Sequence, residues 1–201
     1  HSEKVFIMNR LLLILILTFS FQTLTKADDI RDFQIEGMSI GDSALEHYSM
    51  KLIKLANKYN CENSAWKNCE MFSALMGPKG IYTSNIQLHF KKDDLNYIIY
   101  GITGTVKYVN NINDCYLKQK EIGFELETLF PNTNKKEIEK AHSADKTGNS
   151  RNNSIYFKFL NNEIVYVACY DWSKKMKYND HLRIAILSAK YNNWLSDKAY
   201  K

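Results

Sequence analysis

Four histidines, His47, His89, His142 and His181, follow the N-terminal apolar stretch of this 201-residue chain. They are the side chains best suited to acid–base work near neutral pH. A histidine base for nucleophilic catalysis needs a hydroxyl or thiol within hydrogen-bond reach and a carboxylate behind it. His142, beside Ser143 and Asp145, is too local to build such a triad unaided. His181 adjoins Asp180 and follows Asp171 by ten residues, so His181, Asp171 and Asp180 are the candidate catalytic residues of a hydrolase or transferase. Trp172 lies between Asp171 and Ser173 at the end of an expected strand. A ring there combines a large apolar area with a polar handle, which makes Trp172 a candidate ligand contact.

Other chemistries lack their residues. No G-x-x-x-x-G-K-[ST], G-x-G-x-x-G or H-E-x-x-H pattern occurs, so no nucleotide or other cofactor is expected. Asp145-Lys146-Thr147-Gly148 resembles the phosphorylated-aspartate signature of P-type transport ATPases. Those enzymes need a nucleotide domain and several membrane helices, and here the tetrapeptide sits in a polar stretch. The cysteines Cys61, Cys69, Cys115 and Cys169 lack the C-x₂₋₄-C spacing of a zinc site, and no metal is expected. An even number behind a signal peptide points to disulfides instead. Four cysteines permit three pairings. Cys61–Cys69, within the polar stretch CENSAWKNC, and Cys115–Cys169, from helix to strand, are the favoured ones.

Several elements must position these residues. Residues 30–36 alternate as a strand would. Ser43-Ala44-Leu45-Glu46 is a capping box, and Leu45, Tyr48, Leu52, Leu55 and Tyr59 recur at helical spacing. Met71 to Met76 is a short apolar run ended by the turn Gly77-Pro78-Lys79-Gly80. Asn85 to Phe90 and Tyr97 to Tyr108 read as strands, with Gly101 and Gly104 marking a bulge or bend. Asp114 caps a helix of about 16 residues that Pro131 ends. Residues 132–153 are polar and read as a loop with a helical turn at 136–141. Ser154 to Leu160 and Glu163 to Tyr170 form the clearest hairpin. His181 to Leu187 is a strand, and Ser188 caps a final helix. The order β-α-β-β-α-β-β-β-α implies an α+β fold: a single domain with an antiparallel sheet and helices packed on one face.

The N-terminus reads as a leader. Met8-Asn9-Arg10 is a short basic region, and Leu11 to Phe21 is an uncharged apolar run, shorter than the roughly 20 residues of a membrane span. Thr25-Lys26-Ala27 places small residues at the −3 and −1 positions of a cleavage site. Residues 1–27 are therefore expected to be upstream residues plus signal peptide. Residues 28–201 are the exported domain, periplasmic or secreted, with no stable membrane anchor after cleavage. The leader holds Lys4, Arg10 and Lys26 against Glu3, which leaves 24 of the 27 basic and 21 of the 22 acidic residues. That balance is too weak and too scattered along the chain for nucleic acid.

Ile35–Ser49 (IEGMSIGDSALEHYS), Asn113–Ile122 (NDCYLKQKEI) and Ala168–Ser173 (ACYDWS) together resemble a group of uncharacterised bacterial exported proteins with a G-M-S-I-G-D-S opening. The resemblance supports the Cys115–Cys169 pairing, since both cysteines lie within its motifs. At the level of fold, the opening is also similar to envelope proteins of the SmpA/OmlA type, lipid-anchored accessories of outer-membrane assembly, although the lipobox cysteine is missing here. Neither resemblance implies an activity. Export and disulfides without a reactive constellation make a binding or accessory protein the expected function, with another envelope protein or a small ligand as its partner. A hydrolase or transferase using His181 with Asp171 or Asp180 is the alternative.

Overall fold

The computed structural model describes residues 29–109 and 111–201; the expected leader lies outside the described residues. Among these residues eight strands form one sheet in the order β1-β2-β3-β4-β8-β7-β6-β5, antiparallel throughout. The strands are β1 (Asn57–Tyr59), β2 (Met71–Leu75), β3 (Asn85–Lys91), β4 (Gly101–Lys107), β5 (Asn134–Ala141), β6 (Arg151–Lys158), β7 (Ile164–Asp171) and β8 (His181–Leu187). Among the described residues three α-helices accompany them: α1 (Met50–Leu55), α2 (Ile112–Leu129) and α3 (Ala189–Asp197). The chain makes two meanders, each running from an edge of the sheet to its middle. α2 carries it from β4 to the far edge, and β8 closes the sheet by pairing with β4.

Strand alternation divides the sheet into two faces. The inner face carries Ile86, Leu88 and Phe90 of β3, Val165, Val167 and Cys169 of β7, and Leu182, Ile184 and Ile186 of β8. Ile53 of α1 and Cys115 and Leu126 of α2 close over this apolar layer. Gln119 fastens α2 by donating to the Asn153 carbonyl at 2.7 Å and the Val167 carbonyl at 3.1 Å. The Cys115–Cys169 disulfide fastens it covalently, and Cys61–Cys69 closes the loop before β2. The outer face packs differently. Ala185 and Leu187 meet Tyr191 and Trp194 of α3, together with Met71 of β2. The expected placement of helices on one face is thus corrected: α1 and α2 share the inner face, and α3 covers part of the outer one. Ser188 caps α3 as expected, but its hydroxyl also donates to the Tyr100 carbonyl at 2.7 Å, which ties the helix to the outer side of β4.

Other expectations also shift. Residues 30–36 make a 3-10 turn at Ile30–Asp32 and a tight reversal pairing Ile35 with Met38, through Glu36 and Gly37 at φ 53° and 77°. The helical repeat from Leu45 yields a 3-10 turn at Ala44–Glu46 and only six residues of α1, because the chain then turns extended at Ala56 and joins the free edge of β2 as β1. Long-range pairing overrides local periodicity there. Residues 132–153 are not a loop: β5 pairs with β6 over eight residues. Gly101 and Gly104 mark no bulge, since β4 pairs without interruption on both sides. Gly104 leaves room instead for the Tyr82 ring, which a Cβ would overlap. Asn111, one turn before the expected cap, accepts from the Asp114 N–H to start α2.

Candidate functional site

Three rows of side chains cross the outer face between β5 and β4, and the strand registers define them. The first runs Lys140, Asn152, Tyr170, His181, Lys107; the second Ile138, Ser154, Ala168, Arg183, Thr105; the third Lys136, Tyr156, Tyr166, Ala185, Thr103. Arg183 therefore emerges at the middle of the sheet, flanked by small residues on its own row and by large rings on the rows either side. Its guanidinium lies 4.9 Å from the Tyr170 ring centre. Tyr170 stacks on His181 at 4.7 Å, and Tyr156 meets Tyr166 at 5.3 Å. Trp172, just past β7, continues the array: its ring is 4.4 Å from His142 and 4.9 Å from Tyr178.

The electrostatics of this array are one-sided. Among the described residues no ion pair includes Arg183, and the groups that face its charge are the phenols of Tyr166 and Tyr170. Three buried polar atoms without a hydrogen-bond partner gather here: Arg183 Nε, Trp172 Nε1 and His181 Nε2. His181 Nδ1 lies 3.0 Å from the Asn179 carbonyl and must donate to it. Burial pushes the His181 pKa down to about 4, with Arg183 acting in the same direction. The ring is therefore neutral at pH 7, and its Nε2 is an acceptor. Burial, then Arg183 and Lys140, also lower the His142 pKa. The array thus offers two N–H donors and one acceptor in an environment with a fixed positive charge, which suits an anion carrying a hydrogen-bond donor.

The candidate catalytic residues cluster at this end of the sheet but do not form a relay. Asp171 alternates onto the inner face, away from His181 on the outer one. Asp180 Oδ1 accepts from the Trp172 N–H at 2.7 Å and so holds the loop. Neither carboxylate hydrogen-bonds the imidazole. Burial, followed by repulsion from Asp180, raises the Asp171 pKa.

Two constellations escaped the sequence reading. Asp145, in the tetrapeptide resembling a phosphorylation site, is a structural anchor. Its carboxylate accepts from the N–H and hydroxyl of Thr147, from those of Ser150, and from the Ser173 hydroxyl at 2.8 Å. The Thr147 hydroxyl, then the other donors, hold its pKa well below the usual carboxylate range. The turn between β5 and β6 is thereby tied to the loop bearing Trp172. The second is a serine–histidine pair beneath α3: Ser73 Oγ lies 2.6 Å from His89 Nδ1, and His89 Nε2 lies 3.3 Å from Thr103 Oγ1. Tyr191 packs at a tilt against the imidazole at 4.4 Å, and burial, with Arg183 contributing, pushes the His89 pKa down to about 3. Both residues are enclosed, which leaves no approach for a substrate. Ser73 and His89 are 16 residues apart on neighbouring strands, and no motif spacing could have linked them. Comparison with protein families, curated proteins and solved structures finds no match to this chain.

Proposed function

We propose that the protein is an exported binding or accessory protein, periplasmic or secreted, whose outer sheet face docks an acidic partner protein. The carrying observation is the sorting of charge by the strands. Lys91, Lys107, Lys136, Lys140, Lys158 and Arg183 alternate onto the outer face, while all the strand acids, Glu137, Glu139 and Asp171, alternate onto the inner one together with Lys58, Lys135 and Arg151. Among the described residues of the eight strands, the outer face has no carboxylate. Tyrosine, tryptophan and arginine, concentrated at its centre, are the side chains that dominate binding energy at protein interfaces. The two disulfides fit an oxidising compartment, and the resemblance to exported proteins with a G-M-S-I-G-D-S opening agrees with it.

Poly-L-glutamate serves as a stand-in for the partner. It should quench the tryptophan fluorescence of the 28–201 domain in low salt and lose affinity as salt screens the lysines. The triple variant Lys107→Glu, Lys136→Glu, Lys140→Glu should bind weakly or not at all. Equal binding of poly-L-lysine, or undiminished binding by the triple variant, would overturn this function.

A further inference from the structure

Resting on the acidic-partner reading, we infer that Arg183 is the receptor for one carboxylate of that partner: an aspartate or glutamate side chain in a peptide segment, seated among Trp172, Tyr170 and His181. The lysines of the face lie exposed along its strands, where solvent weakens any one contact. Arg183 differs in kind. It stands in the middle row with its Nε shut off from water and unpaired, and among the described residues no acid forms an ion pair with it. A desolvated charge without a counter-ion is costly, and a bound carboxylate supplies the missing partner through charge-assisted hydrogen bonds.

The neighbouring orphans define what accompanies that carboxylate. Trp172 Nε1–H is a donor only, so a second donor awaits the same anion. His181 Nδ1 donates to the Asn179 carbonyl, so Nε2 needs a donor from the ligand. A residue of a peptide has both parts, since the carboxylate of its side chain is followed closely by backbone N–H groups. The rings of Tyr170 and Trp172 supply flat apolar area beside the charge. Tyr178, 61 % exposed and touching Trp172 edge-on, borders the same ring from the solvent side.

The test titrates the 28–201 domain with a blocked peptide containing a single glutamate and with its glutamine counterpart, following tryptophan fluorescence and the imidazole proton signals of His181. The glutamate peptide should bind at least tenfold more tightly and shift the His181 signals. Arg183→Gln should weaken it about 30-fold or more. Trp172→Phe, which keeps a ring but removes the N–H, should weaken it severalfold. Lys51→Gln, exposed on α1 over the opposite face of the sheet, should change it less than twofold. Circular dichroism checks that each variant is folded, and Arg183→Met provides a second, apolar replacement with the same expected loss. If the two peptides bind equally, or if Arg183→Gln and Arg183→Met bind like the parent, the carboxylate receptor is refuted. Should poly-L-glutamate still bind in that event, the acidic-partner function stands without it; if poly-L-glutamate also fails, both fall.

Discussion

Arg183 carries opposite consequences for stability and for binding. An arginine stays charged at any ordinary pH, so folding must desolvate it in part without an acid to compensate. Replacing it by methionine, which keeps the aliphatic length between Tyr166 and Tyr170, should raise stability by about 1–3 kcal/mol while removing anion binding. Urea unfolding of the variant checks this, and a lower midpoint would count against the cost assigned to the charge. The histidines add a pH dependence whose sign follows from their shifts. Both His89, at about 3, and His181, at about 4, are depressed from 6.5, so the unfolded chain takes up protons that the folded one refuses. Stability is then full above pH 6.5 and falls as the solution is acidified. The slope is about 1.4 kcal/mol per pH unit for each histidine. The His181 share levels off near pH 4 and the His89 share near pH 3. Asp145, depressed from 3.8, adds a further loss below that value. Unfolding midpoints between pH 7 and 4 should show the slope, and His89→Gln should make it shallower, leaving the shares of His181 and His142; a flat profile would contradict the burial of both rings.

At the scale of elements, α2 and β7 are joined twice, by the Gln119 hydrogen bonds and by Cys115–Cys169. The bridge spans 54 residues, and in the chain-entropy argument closing such a loop contributes about 4 kcal/mol. Cys61–Cys69 spans eight, for which the same argument gives about 2.5 kcal/mol. The double replacement Cys115→Ser, Cys169→Ser should therefore lower stability more than Cys61→Ser, Cys69→Ser does, as measured by thermal unfolding under non-reducing conditions. Equal losses would show that strain or residual structure outweighs loop length. β5 shows why an element can be invisible in sequence. NKKEIEKA has a single apolar residue, so hydrophobic alternation carries no signal, yet its backbone pairs with β6 along its whole length. Its charges also suit an edge, where an apolar strand would invite another chain to pair.

Taken as a whole, the molecule has one face built for its own core and another only partly covered by α3. The inner face buries the branched aliphatic residues of both meanders under α1 and α2. The outer face leaves its half toward β5 to lysines and rings. No helix among the described residues is long and apolar enough to cross a membrane, and all four cysteines are paired. On the export proposed above, the mature protein should start at Asp28, after cleavage behind Ala27, and should show no reactive thiol without reduction. N-terminal sequencing and thiol titration of protein from culture medium and envelope fractions check both; an intact leader with four titratable thiols in the cytosol would contradict export.

What could be read from residue order alone was whatever neighbours along the chain decide. The 154–160/163–170 hairpin, α2, the Ser188 cap and both disulfide pairings belong to that class, because alternation, helical spacing, capping chemistry and cysteine placement act over short stretches or pair few alternatives. His181 and Trp172 were also visible as polar and aromatic groups near strand ends. Their partners were not. Asp171 lies one residue before Trp172 yet faces the other side of the sheet, while Arg183, never conspicuous by spacing, arrives between Tyr166 and Tyr170 through the pairing of β7 with β8. A slip of one residue in that pairing would exchange the faces. Which charges gather, and which acids are sent away from them, was therefore settled by register across eight strands, a long-range property that local sequence does not encode.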